Sequence, residues 1–116
     1  MTSLPHLSPA VVAGDHIFLS GQLAFGPDGM IGGDIAAQTT RCLERLETVL
    51  VEHGLDRSAI VKVSVWLTDR WSFAAFNQAY ALFFGEQRPA RSTVISGLAI
   101  DGALVEIDAV AVRRAS

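Results

Sequence analysis

Two charged side chains stand where the sequence otherwise asks for apolar ones. Alternation along 103–112 puts Leu104, Glu106, Asp108, Val110 and Val112 on one strand face and Val105, Ile107, Ala109 and Ala111 on the other. Both faces read as largely apolar, so Glu106 and Asp108 interrupt a surface that favours burial. A carboxylate so placed needs a partner or holds its proton differently, and either outcome is common where chemistry is done. The competing reading is a solvated edge. Arg91 raises the same question at the start of a strand, just after Pro89-Ala90, with Thr93 and Ile95 following on its own face. Its planar guanidinium can grip a carboxylate through two parallel hydrogen bonds, although a surface salt bridge would also account for it. The chemistry on offer is therefore proton transfer by a carboxylate and anchoring of an anion by an arginine.

Other chemistries find little support. Cys42 is the sole cysteine and falls on the apolar side of a helical pattern, which marks it as a small buried hydrophobe rather than a nucleophile. His6, His16 and His53 show no ligand-like spacing, so no metal site is expected. Gly26, Gly29, Gly32 and Gly33 match neither a phosphate loop nor a dinucleotide fingerprint, and no cofactor is expected. Ser20-Gly21-Gln22 is not a nucleophile elbow.

The elements that must position Arg91 and Glu106 follow from periodicity. Ala10-Val11-Val12-Ala13 and Ile17-Phe18-Leu19, separated by Gly14-Asp15, predict a β-hairpin, followed by an exposed loop at Phe25–Gly29. From Asp34, a natural N-cap, Ile35, Cys42, Leu43, Leu46, Val49 and Leu50 recur at helical spacing up to a Gly54-Leu55 stop. Ile60–Leu67 alternates, with Val61, Val63, Val65 and Leu67 assigned to the core and Ile60, Lys62, Ser64 and Trp66 to a mixed face. Trp66 needs cover from another subunit or from a local satellite of the core. A second helix, capped by Ser72, carries Phe73, Phe76, Tyr80, Phe83 and Phe84 as a core stripe and ends near Gly85. Strands at Arg91–Ser96 and Ala103–Val112, joined by a turn at Asp101-Gly102, complete the order ββαβαββ. With a hairpin expected at each end, the economical solution is α+β: one mixed sheet covered on one face by two helices.

A chain of 116 residues has room for one domain, 1–116. Half of its residues are hydrophobic, mean hydropathy is +0.36 and charged residues make up 18%, against about 25% in a typical soluble domain. That excess of apolar surface predicts burial between copies of the chain. No apolar run reaches the roughly 18 residues of a membrane span. Met1–His6 carries neither the basic nor the apolar region of a secretory leader, so a cytoplasmic location is expected. With a net charge of −3 and basic residues scattered apart from Arg113-Arg114, a nucleic-acid partner is not indicated.

At these residues the chain resembles the RidA/YjgF/UK114 family of small imine deaminases. The likeness runs through Ser8-Pro9-Ala10-Val11, Phe18–Gln22, Gly33-Asp34-Ile35 with Gln38-Thr39, Val61-Lys62-Val63, Phe76–Tyr80, Arg88–Val94, and Leu104–Ile107 with Ala109-Val110-Ala111. It is the order and spacing of these segments together that make it specific. The resemblance implies a chorismate-mutase-like fold, a homotrimer with clefts at its subunit interfaces, and no cofactor. It also implies that Arg91 anchors a substrate carboxylate, that Glu106 stands beside the attacking water, and that Ser20, Gly21, Asn77 and Thr93 line or support the cleft. The implied reaction hydrolyses 2-imino or enamine acids to 2-keto acids and ammonia. A non-catalytic ligand-binding trimer and an RNA-cleaving translation inhibitor are the alternatives. One position departs from the family pattern: Leu7 stands where relatives carry a tyrosine, so no hydroxyl is available there.

Overall fold

The computed structural model describes residues 5–114, so residues 1–4 of the stretch read above for a leader lie outside it. Its elements run β1 (Ala10–Ala13), β2 (His16–Gln22), α1 (Ile35–Glu52), β3 (Ile60–Leu67), α2 (Phe73–Phe84), β4 (Ala90–Ile95) and β5 (Val105–Val112). The order ββαβαββ is the one read from periodicity. The strands form one five-stranded mixed sheet in the order β1-β2-β5-β3-β4, with β3 and β4 parallel and every other pair antiparallel. Both helices cover the same face.

Helix α1 begins where Asp34 accepts a hydrogen bond from the Ala37 amide at 2.9 Å, filling one of the donor positions that a helix start leaves open. It ends in a Schellman stop. The Leu55 amide donates to the Leu50 carbonyl and the Gly54 amide to that of Val51, while Gly54 adopts a φ of 74°. A side chain would strain that conformation, which is why glycine serves there. The buried stripe of α1 carries Cys42, Leu43, Leu46 and Leu50, together with two polar residues, Gln38 and Thr39. Gln38 is satisfied on all sides: its amide donates to the Gly33 and Gly102 carbonyls, and its carbonyl accepts from the Leu104 amide at 2.9 Å. This one side chain ties the start of α1 to the entry of β5.

Three local expectations are corrected. No C-terminal hairpin forms, because β3 lies between β4 and β5. The crossover through α2 returns β4 parallel to β3 on the outer edge, as strand–helix–strand units do. The central place beside β2 is left to β5, whose Val105, Ile107, Ala109 and Ala111 are all buried beneath the helices. In β3 a register shift between Ile60 and Lys62 turns Ile60 into the core and leaves Val61 only half buried. One extra residue in a strand exchanges its faces. Ser72 makes no side-chain capping bond. Asp69 instead accepts from the Trp71 amide at 2.7 Å and starts a single 3-10 turn, Arg70–Ser72, that runs straight into α2.

The sheet face away from the helices carries Phe18, Trp66, Glu106, Asp108, Val110 and Val112, with Phe18 47% exposed and the rest half buried. Among the described residues no element packs over it. Among the described residues no helix is long and apolar enough to cross a membrane.

Candidate functional site

The six candidate residues fall into two groups on opposite sides of the sheet. Register decides this. Arg91 and Thr93 pair with Val63 and Val65, whose side chains lie buried under the helices, whereas Glu106 pairs with Trp66 on the uncovered face.

The first group is built on β4 and α2. Arg91 reaches α2, where its Nη2 donates to Asn77 Oδ1 at 2.9 Å. Its Cζ lies 4.8 Å from the ring centre of Tyr80, 5.1 Å from that of Phe76 and 5.9 Å from that of Phe73. Phe73, Asn77 and Tyr80 follow one another at i, i+4 and i+7, so a single stripe of α2 forms this bed. Aromatic faces attract a cation and hold the guanidinium without neutralising it. Among the described residues the one ion pair joins Arg57 to Glu47, so no carboxylate among them forms a salt bridge with Arg91. The Arg91 charge is held in place with part of its donor fork uncommitted. Thr93, two residues along the same strand face, keeps a buried hydroxyl oxygen with no partner.

The second group is built on β2 and β5. A Cβ on Gly21 would collide with Oε2 of Glu106 and would lie 3.1 Å from its Cδ. Gly21 therefore sits flush against the carboxylate, and the bare backbone there is a condition of the close approach. Ser20 donates through Oγ to the Ser8 carbonyl at 2.6 Å, and its amide donates to the Pro9 carbonyl at 3.0 Å. These bonds tie Ser8, and Leu7 beside it, to the end of β2 next to Gly21. Leu7 itself is exposed. Glu106 holds its proton more tightly than an ordinary carboxylate, first through burial and then through the like charge of Asp108. Asp108 is raised too, again mainly by burial, with Ser64 and Lys62 opposing the shift.

The sequence reading missed the aromatic bed under Arg91 by assigning all of Phe73, Phe76 and Tyr80 to the core. Phe76 and Tyr80 are buried, but Phe73 remains 43% exposed. Asn77, a polar residue on the same stripe, was the available signal that this side of α2 does more than fill space. Cys42 is buried as expected, and burial pushes its thiol up to about 12. Among the described residues no three His, Cys, Asp or Glu side chains cluster as a metal site would need.

Comparison with known proteins agrees with the fold. The family model described as Endoribonuclease L-PSP matches residues 1–113. Protein DfrA of Myxococcus xanthus is 43% identical over 104 residues, which cover 88% of this chain and 79% of that protein. A RutC family protein of Pyrococcus abyssi is 38% identical over 110 residues, 92% of this chain and 86% of its own. Among solved structures, Escherichia coli TdcF with bound serine superposes with a TM-score of 0.90 at 33% identity, covering 97% of this chain and 91% of that one. The E. coli YjgF gene product gives the same TM-score and coverages at 34% identity.

Proposed function

The chain belongs to the Endoribonuclease L-PSP family, which includes the RidA/YjgF proteins, and from that premise we propose that it is a deaminase of reactive 2-imino acids. The observation that carries the reading is Arg91: a guanidinium oriented by Asn77, bedded on aromatic rings and lacking a carboxylate partner among the described residues. A site so prepared suits a small carboxylate ligand. Serine, the molecule bound in the E. coli TdcF structure, carries such a carboxylate next to a carbon bearing nitrogen.

In the proposed reaction Arg91 holds the carboxylate of a 2-imino acid formed by tautomerisation of an enamine such as 2-aminoacrylate. Thr93 and Asn77 border the anchor, while Ser20 and Gly21 frame Glu106. Glu106 takes a proton from water as its oxygen bonds to the imine carbon. Protonated Glu106 then passes its proton to the nitrogen of the resulting carbinolamine, the C–N bond breaks as the C=O bond forms, and the hydroxyl proton returns to the Glu106 carboxylate. The products are a 2-keto acid and ammonia. A protonated imine carbon is itself electrophilic, so the step asks only for a positioned water and a base of moderate proton affinity. Burial of Glu106 moves its affinity in the direction that favours such shuttling.

Because Arg91 and Glu106 point to opposite sides of the sheet, the proposal includes a cleft made by two copies, one giving the β4 edge and the other its uncovered sheet face. The apolar residues of that face, Phe18, Trp66, Val110 and Val112, suit burial against further copies, and a homotrimer is the proposed assembly. A cytoplasmic setting also remains part of the proposal; two relatives in Schizosaccharomyces pombe are named mitochondrial proteins.

The test is release of 2-keto acid and ammonia from imines generated in place by an amino-acid oxidase. Wild-type protein should accelerate release, and Arg91→Ala and Glu106→Gln should each abolish most of that acceleration. Wild-type rates in either variant would remove that residue from the mechanism. Cleavage of RNA, which the family description suggests, would require phosphate contacts that weaken steeply with salt, and a chain of net charge −3 offers little for them.

A further inference from the structure

Between the end of α2 and the start of β4 lies a recess of about 280 Å3, bordered by Tyr80, Phe84, Gly85, Arg88, Pro89 and Arg91. Two arginines line it and no acidic residue does. Among the described residues neither arginine lies within salt-bridge distance of a carboxylate. Pro89 restricts the backbone between them and so keeps their spacing defined. Two like charges beside one recess repel each other unless an anion lies between them.

Tyr80 supplies a second and independent sign. The residue is only 8% exposed, and its hydroxyl is buried with no hydrogen-bond partner. Native proteins leave few such groups, and a ligand is one way in which they become satisfied. Burial pushes the Tyr80 hydroxyl up to about 12, so at neutral pH it is a protonated donor.

We propose that this recess is a second anion subsite beside the Arg91 anchor. Arg88 and the Tyr80 hydroxyl receive a carboxylate carried on the substrate's side chain, so 2-imino dicarboxylic acids are the favoured substrates. The inference rests on the deaminase reading of the site and adds to it a preference about the side chain. The α-carboxylate stays on Arg91, and the second carboxylate draws its donors from the uncharged and cationic lining of the recess.

The test compares binding of 2-oxobutyrate and 2-oxoglutarate, a monocarboxylic and a dicarboxylic 2-keto acid, by calorimetry on the intact oligomer. Wild-type protein is expected to prefer the dicarboxylate by about tenfold or more, with Arg88→Ala and Tyr80→Phe each removing most of that preference. Arg88→Lys should restore part of it. The same ratio is read in kcat/KM for imines made from glutamate and from 2-aminobutyrate. Tyr80→Phe removes only an unpartnered hydroxyl, so its melting temperature should hold or rise, which separates lost binding from lost folding. Equal affinity for the two keto acids in the wild type, or full preference retained in either variant, overturns the subsite while imine turnover leaves the deaminase reading standing. If the wild type neither binds keto acids nor turns over imines, both readings fall.

Discussion

Arg91 and Glu106 face opposite sides of one sheet, Arg91 level with Val63 beneath the helices and Glu106 level with Trp66 on the uncovered face. The strand β3 lies between theirs. Neighbouring strands are about 4.8 Å apart and their side chains leave the sheet in opposite directions, so a small imino acid does not span both within one chain.

Mixed oligomers therefore give a direct measure of a shared site. Arg91→Ala and Glu106→Gln chains, each inactive alone, should regain activity when unfolded together and reassembled. Random assortment in a ring leaves about one quarter of the clefts with both residues intact. Recovery near that level supports a cleft built from two copies, and activity no higher than in either parent would exclude it.

Gly21→Ala tests the close approach to the carboxylate. The added methyl group collides with the Glu106 side-chain end, which can swing away, so the fold should survive with little change in melting temperature. Displacement of the base is expected to lower kcat by about 10- to 100-fold. An alanine variant with wild-type kcat would show that Glu106 needs no fixed position.

Asn77→Asp should be more harmful than Asn77→Ala. It places a carboxylate where Arg91 Nη2 now meets an amide oxygen at 2.9 Å, and that group competes with the substrate for the guanidinium. A hydrogen bond between ionised groups is worth about 1.5–3 kcal/mol, so KM should rise about 10- to 100-fold with a smaller change in kcat. Affinity for 2-keto acids, measured separately, should fall in parallel.

The proton affinity of Glu106 sets two pH dependences. As a base it must be ionised, so kcat/KM should rise with pH through a midpoint above the ordinary 4.5, and Asp108→Asn should move that midpoint toward acid by removing the neighbouring like charge. The stability effect has the opposite sense. A carboxyl whose folded pKa is raised binds its proton more tightly in the folded state, so its contribution is fully present below the unfolded pKa and is lost as pH rises through the folded one. Glu106→Gln should thus melt at a higher temperature than the wild type at neutral pH, the gap closing in acid. A variant that is both less active and less stable at pH 7 would contradict the placement of this group.

Cys42 offers a probe of the core. It is fully buried, with a thiol pushed up to about 12, and the thiolate is the reactive form. Alkylating reagents at pH 8 should leave the folded protein unmodified and label it at the rate of unfolding. Rapid labelling under native conditions would mean that α1 separates from the sheet far more readily than its packing suggests.

Several features were readable because their causes are local. Asp34, the spacing from Ile35 to Leu50 and the Gly54-Leu55 stop define α1 through contacts within a few residues, and the structure reproduces them. The β3 register shift was not readable, since one extra residue among Ile60, Val61 and Lys62 exchanges faces without changing the composition of the run. Asp69 and Ser72 are both competent caps, and only the chain's path through the Arg70–Ser72 turn selected the first. In the candidate site, alternation singled out Glu106 and the strand start singled out Arg91. The aromatic bed stayed hidden because Phe76 and Tyr80 serve the core and the arginine at once.

By itself the sequence determined the two faces of β5, the buried stripe and both ends of α1, the burial of Cys42, and which two charges stand out of place. These follow from side-chain periods of 2 and 3.6 residues and from hydrogen bonds that close within a turn. Only the tertiary structure decided that β5 lies inside β3, that Arg91 rests on α2, and that Glu106 looks out from the other side of the sheet. Strand order depends on which apolar faces can be buried together across the whole chain, and no local pattern carries that information.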